Sequence, residues 1–260
     1  MRIGADAVVV VTGAANGIGR ALVDALDARG ARTAALDVDA AGLERLRARP
    51  GCLPVPCDVA DAAAVRRAAD AVLEALGAPT LVVACAGVAV AGAVEALPLA
   101  ALERAMAVNY WGVVHTSRAF LPALRAAAAR GRPAALAVVL SDFAFFALPT
   151  KGAYAAAKHA AHACTLALAA ELTGSGVQVT AVYPGATATG LVARGLAIDP
   201  AQQAREAAFL ARGGSADRVA QALLRGVERG RDRVLVGADT RLLALATRWA
   251  PGLTQWAVRR

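Results

Sequence analysis

Val8-Val9-Val10-Val11-Thr12-Gly13-Ala14-Ala15-Asn16-Gly17-Ile18-Gly19 is the stretch on which the reading of the chain turns. Four β-branched residues in a row predict a buried strand, and the three glycines that follow predict a tight turn into a helix. Gly13 allows the sharp turn, Gly17 leaves no Cβ in the way of a phosphate, and Gly19 lets the new helix lie close on the strand. Free N–H groups and the positive end of the helix dipole then point at the turn, which is the chemistry of a dinucleotide pyrophosphate site. Asn16 and Ile18 complete the turn.

Outward from this stretch, short β-branched runs alternate with longer alanine- and leucine-rich ones. Strands are predicted at Val8–Val11, Thr33–Leu36, Leu53–Pro56, Leu81–Ala84, Leu136–Leu140, Val177–Val182 and Arg233–Val236. Helices are predicted over 17–29, 39–48, 61–76, 100–128, 152–173 and 216–229, with a helical excursion at 190–212. Strands that are apolar throughout and separated by helices imply a mostly parallel sheet covered on both faces. Right-handed crossovers then give an α/β, doubly wound Rossmann arrangement of about seven strands, with its ligand at the carboxyl ends of the strands. With 260 residues, 58% of them hydrophobic, and no linker, one domain spanning 1–260 is expected.

Composition narrows the function. The net charge is +8, and from Leu191 onward twelve arginines stand against six acids. These arginines are dispersed without aromatic interleaving, so nucleic acid is not expected as a partner. Cys52, Cys57, Cys85 and Cys164 fit neither a metal-ligand spacing nor a disulfide framework, and no metal site is expected. His159 and His162 share a helix face but have no third ligand nearby in sequence. No signal peptide or spanning segment is evident, and the expected location is cytoplasmic.

Polar residues follow the predicted strands where a ligand would lie. Asp37 comes 18 residues after Gly19, where a carboxylate accepts hydrogen bonds from both ribose hydroxyls and repels a 2′-phosphate. With Val at 38 and Asn at 16, neither obvious position for a phosphate-binding base is basic, so NAD is favoured over NADP. Asp58 and Val59 follow the third strand, and Ala86-Gly87 the fourth. Ser141 closes the fifth, and Tyr154 and Lys158 lie four apart on one helix face, where the ammonium would lower the phenol pKa toward working pH. A Tyr so tuned is a general acid or base for a hydroxyl or carbonyl.

Taken together, these motifs resemble the short-chain dehydrogenase/reductase family, in its compact single-domain branch, over nearly the whole chain. Thr12-Gly13-x3-Gly17-Ile18-Gly19 is similar to the cofactor fingerprint, Asp37 to the NAD-type ribose acid, and Asp58-Val59 to the adenine contact. The resemblance implies that Asn109 holds a water in a proton relay. It implies that Ser141 polarises the substrate, that Tyr154 transfers the proton, and that Lys158 also binds the nicotinamide ribose. In Pro184-Gly185-x3-Thr189, Pro184, Gly185, Thr187 and Thr189 would hold the carboxamide. The implied activity is reversible oxidation of a secondary alcohol with NAD. An NADPH-dependent carbonyl reductase of the 3-oxoacyl type and a non-catalytic NAD-binding regulator are the alternatives. Members of this size commonly pair through the helices flanking the fifth strand, so a homodimer or homotetramer is expected.

There are two departures. Ala84-Cys85-Ala86-Gly87 replaces the usual Asn-Asn-Ala-Gly, which leaves local rigidity in question, and Asp142-Phe143-Ala144-Phe145-Phe146 follows Ser141 in place of small residues. Phe143, Phe145 and Phe146 are read as an apolar substrate wall and 190–214 as the substrate lid. In the lipophilic segment 239–260, Leu242, Leu245 and Trp249 share a face, Arg241 and Arg248 another, and Pro251-Gly252 would end the helix. Covering a subunit interface, closing an apolar pocket, and peripheral contact with an anionic membrane are its three readings. Both features point to a lipophilic small-molecule substrate.

Overall fold

Every residue of the first strand, β1 (Val8–Thr12), is buried in the computed structural model, which describes residues 1–250 and 252. Because side chains alternate across a strand, Val9 and Val11 face one apolar layer and Val10 the other. The first layer joins them to Leu22 and Leu26 of α1 (Gly17–Asp27), and later to Leu223, Leu224 and Val227. The second joins Val10 to Val65, Val72, Phe120 and Leu124. A strand apolar on both faces is stable only in such a sandwich, where each fully buried valine contributes at least about 1.5 kcal/mol.

The chain continues through β2 (Arg32–Asp37), α2 (Ala40–Arg47), β3 (Cys52–Pro56), α3 (Ala62–Leu76) and β4 (Leu81–Ala84). Then come α4 (Leu99–Met106), α5 (Gly112–Ala129), β5 (Ala135–Val139), α6 (Gly152–Glu171) and β6 (Gln178–Pro184). The last elements are α7 (Pro200–Ala211), α8 (Ala216–Glu228), β7 (Arg233–Val236) and α9 (Ala238–Trp249). All seven strands are parallel, in the order β7-β6-β5-β4-β1-β2-β3. This is the doubly wound sheet that the alternating pattern predicts. Pro54 and Pro56 are tolerated in β3 because it is an edge strand. The strand order reverses between β1 and β4, which opens a crevice at their carboxyl ends.

Two boundaries differ from the sequence reading. The helix expected over 100–128 is interrupted by a π-helical segment at Ala107–Trp111, centred on Asn109. Residue spacing on a helix face conceals such an insertion, and π turns are a frequent mark of functional sites. The excursion 190–212 is helical only as α7, because Gly190 in the left-handed region and Gly195 break what precedes it, and Pro200 opens the helix. A short strand there, Leu196–Ala197, pairs in parallel with Val90–Ala91. Finally, α9 ends at Trp249, and Pro251 and residues 253–260, with Trp256, Arg259 and Arg260, lie outside the described residues. Among the described residues no helix is long and apolar enough to cross a membrane.

Candidate active site

At the carboxyl ends of the strands lies one cleft of about 970 Å³. All the cofactor and catalytic residues expected from the sequence line it except Asn109, and of the three phenylalanines it takes Phe143 and Phe146.

One end is built on the glycine turn. Gly13 and Gly17 have φ of +67° and +52°, a region open to glycine at little cost. A Cβ on Gly13 would come within 2.8 Å of Ala86 Cα, and one on Gly19 within 2.0 Å of the Gly13 carbonyl oxygen. The turn, the start of α1 and the Ala86-Gly87 backbone therefore lie closer than side chains would allow. Asp37 at the end of β2 clips the turn from the side, its Oδ2 accepting the Ala15 amide at 2.8 Å and its Oδ1 the Asp39 amide at 2.9 Å. Each carboxylate oxygen keeps a lone pair for the cleft. Asn16 donates to Asp39, and hydrogen bonds from the Gly42 amide and then Asn16 hold the Asp39 carboxyl below its usual range. Asp58 faces the same end and pairs with Arg104 at 3.2 Å. Neither Asp39 nor Arg104 was singled out from the sequence, since Asp39 caps α2 locally through the Gly42 amide and meets Asn16 only in the fold, and Arg104 meets Asp58 46 residues away.

After β4, Thr12 Oγ1 accepts the amides of Cys85 and Ala86 at 3.0 and 3.1 Å. Asn109 braces the next residues. Its Nδ2 donates to the carbonyls of Val88 and Ala105, both at 3.0 Å, and its Oδ1 accepts the Val88 amide at 3.2 Å. Fully buried and with both amide hydrogens used, this side chain turns to the backbone and offers the cleft no donor. Burial pushes the Cys85 thiol up to about 12, so it is an inert neighbour.

At the other end, Ser141 closes β5 and starts a 3-10 turn over Asp142–Ala144. Its hydroxyl donates to Asp142 Oδ1 at 2.9 Å. Tyr154 and Lys158 approach from α6. Lys158 is buried, donates to the Val139 carbonyl at 3.1 Å and stands 5.7 Å from the centre of the Tyr154 ring. The expectation that the lysine lowers the tyrosine pKa is corrected. Burial pushes the Tyr154 phenol well above its ordinary range, against the Ser141 hydroxyl, and Asp142 adds to the rise. Burial also lowers Lys158 to about 8, because removing an ammonium from water disfavours its charge.

Phe145 is a second correction. It stacks on Tyr183 at 4.7 Å, below Arg233, and packs half-buried against the core. Phe143 lies in the 3-10 turn and Phe146 just past it, and their rings stack at 5.0 Å on the cleft side while Phe145 meets Tyr183 instead.

The segment expected as a lid does border the cleft. Gln202, Arg205, Glu206, Phe209 and Leu210 of α7 line it. Glu206 forms an ion pair with Lys151, and Gln202 donates to Thr150 at 2.8 Å. Thr150, at φ 65°, is the one non-glycine among the described residues in the left-handed region. Thr189 reaches the glycine turn from the loop after β6, where a Cβ on Gly17 would stand 3.0 Å from its own Cβ. Thr187 donates to the Gly185 carbonyl at 2.8 Å. From α9 only Asp239 reaches the cleft, and Leu242, Leu245 and Trp249 are exposed, so this helix does not close the pocket with its apolar face.

A floor with glycines at 13, 17, 19 and 87, a carboxylate with spare acceptors at one end and a Ser–Tyr–Lys group at the other fit a nicotinamide dinucleotide. Comparison with known proteins agrees with that geometry. The family described as short chain dehydrogenase matches residues 7–197. The 1-deoxy-11-beta-hydroxypentalenate dehydrogenase of Streptomyces exfoliatus is 38% identical over 192 residues, 70% of this chain and 68% of that one. Among solved structures, a short chain dehydrogenase/reductase from Burkholderia phymatum in complex with NAD superposes with a TM-score of 0.84 at 27% identity, covering 95% of this chain and 96% of that one. A short chain dehydrogenase from Burkholderia cenocepacia J2315 in complex with NADP gives 0.83 at 29%, with 99% of each chain covered.

Proposed function

The chain belongs to the short-chain dehydrogenase family, and from that premise we propose that it oxidises a lipophilic secondary alcohol reversibly to the ketone with NAD. The family makes it an alcohol dehydrogenase or ketone reductase that uses a nicotinamide cofactor. When bound, that cofactor supplies the hydride acceptor at its nicotinamide ring. The observation that carries the reading is the convergence of Ser141, Tyr154 and Lys158 in the cleft that has the glycine turn and Asp37 at its far end.

Within this reading the chain's own residues bind, orient and move protons. The turn Gly13–Gly19 and the start of α1 hold the pyrophosphate, Asp37 the adenosine ribose, Asp58 and Val59 the adenine. Ala86 and Gly87 pass beneath, and Pro184, Gly185, Thr187 and Thr189 hold the carboxamide. Tyr154 exchanges a proton with the substrate oxygen, Ser141 orients that oxygen, and Lys158 faces the nicotinamide ribose and the phenol. Asn109 is a positioning residue here. A Cβ on Gly87 would lie 2.9 Å from its Oδ1 and 3.7 Å from Lys158 Nζ, so the loop that Asn109 braces also confines the lysine. Phe143, Phe146, Val192 and Phe209 line the substrate end and support an apolar substrate body, which would exclude water.

Asp37 supports NAD over NADP, since its carboxylate would repel a 2′-phosphate and Val38 beside it offers no compensating charge. A homodimer or homotetramer paired through α5 and α6 is supported by the exposure of Trp111, just before α5, and of Leu166 on α6. The exposed face of α9 suits a further subunit contact, and sedimentation with anionic vesicles tests peripheral membrane association against it. A screen of lipophilic secondary alcohols and ketones with both cofactors tests the whole reading. Turnover with NAD is expected, and turnover only with NADPH would overturn the cofactor assignment.

A further inference from the structure

The residue after Ser141 is an acid in an otherwise apolar run, and the two side chains act as one unit. Asp142 Oδ1 accepts the Ser141 hydroxyl and the Phe143 amide, each at 2.9 Å. Among the described residues, Oδ2 accepts no hydrogen bond from another residue, yet the side chain lines the cleft between Ser141 and Phe143. Ser141 and Asp142 thus form one polar corner beside Tyr154. That corner offers an acceptor at Asp142 Oδ2, next to the stacked rings of Phe143 and Phe146.

We infer that Asp142 is a specificity-determining residue: it accepts a hydrogen bond from a second donor on the substrate, a hydroxyl or ammonium one carbon from the reacting carbinol. The inference rests on the oxidoreductase reading above and narrows its substrate to a lipophilic alcohol bearing a vicinal donor. A lone secondary alcohol engages Tyr154 and Ser141 through its reacting oxygen and leaves Asp142 Oδ2 without a partner. A vicinal donor satisfies it, and a partly buried carboxylate left unpartnered on binding is costly. The other acids near this corner offer no donor in their ionised form: Asp239 faces Asp142 from α9, and Glu206 is held by Lys151. Tyr154 and Lys158 face it from α6, the lysine turned to the Val139 carbonyl. No described side chain donates to Oδ2, and the inference assigns its donor to the substrate.

The test compares, with NAD, a long-chain vicinal diol, the matching vicinal amino alcohol and the secondary alcohol of the same chain length. In the wild type, kcat/KM for the diol, the amino alcohol or both should exceed that for the mono-alcohol by about tenfold or more, the scale of a hydrogen bond to a charged group. Whichever of the two is preferred identifies the donor. Asp142→Asn keeps the shape and the acceptor for Ser141 but turns an NH2 to the cleft, and it should bring the ratio close to one, as should Asp142→Ala. A wild-type ratio near one, or a preference unchanged in Asp142→Asn, overturns the assignment while leaving the dehydrogenase reading intact. Failure of the wild type to oxidise any of the three overturns that reading as well.

Discussion

Lys158 and Tyr154 lie one helical turn apart with the ammonium 5.7 Å from the ring centre, yet the lysine hydrogen-bonds Val139 rather than the phenol. Burial acts on both groups, raising the tyrosine pKa and lowering the lysine to about 8. A phenol that keeps its proton near neutrality is the form that gives a proton to a ketone, whereas alcohol oxidation needs the phenolate. Oxidation by the wild type should therefore climb as pH rises above neutral while ketone reduction falls. A pH–rate profile in each direction checks this, and oxidation fastest below neutral pH would contradict it.

The same burial has a consequence for stability. A lysine whose pKa falls from 10.5 in the unfolded chain to about 8 in the folded one binds fewer protons when folded between those values. Its unfavourable contribution is therefore complete below about pH 8 and shrinks as pH rises toward 10.5. Relative to Lys158→Met, the wild type should gain stability across that window. Urea denaturation of both proteins at the two ends of it measures the difference, and parallel curves would show that the lysine is not buried as described.

Asp37→Ala should weaken NAD binding by about tenfold to a hundredfold, the worth of hydrogen bonds to a charged acceptor. NADP binding should weaken less, since loss of the repelling carboxylate offsets it. The ratio of the two dissociation constants is the readout, because the Ala15 contact is lost equally for both. An unchanged ratio would remove Asp37 from cofactor selection.

Gly19→Ala would set a Cβ 2.0 Å from a backbone oxygen, which neither α1 nor the turn can absorb. A loss of about 2 kcal/mol or more is expected, with loss of dinucleotide binding. Chemical denaturation and cofactor titration check both, and a variant as stable as the wild type would contradict the described packing of α1 on the turn.

Much of this was legible from the sequence, because strand alternation and glycine spacing are local signals. Gly13, Gly17, Gly19, Asp37, Ser141, Tyr154 and Lys158 meet in one cleft, as their places after predicted strands imply. What could not be read depends on tertiary geometry. The π turn at Asn109 leaves the apolar pattern intact, so a continuous helix was expected. Phe145 leaves the cleft because the chain after Ser141 stacks Phe143 on Phe146 and turns Phe145 onto Tyr183. Proximity of Tyr154 and Lys158 was evident, but the sign of the tyrosine shift follows from burial, which spacing does not reveal. Asp142 stood out only as a departure, and its bond to Ser141 became visible with the backbone of the turn.

The central claim is that Tyr154 exchanges the substrate proton in a cleft that holds NAD independently of it. The direct measurement is NAD reduction by a lipophilic secondary alcohol in the wild type and in Tyr154→Phe, with NAD binding measured on both. Turnover should fall by about a hundredfold to ten-thousandfold, the usual contribution of a positioned general acid or base, with NAD affinity almost unchanged. A Tyr154→Phe variant that turns over at a near-normal rate would contradict the account.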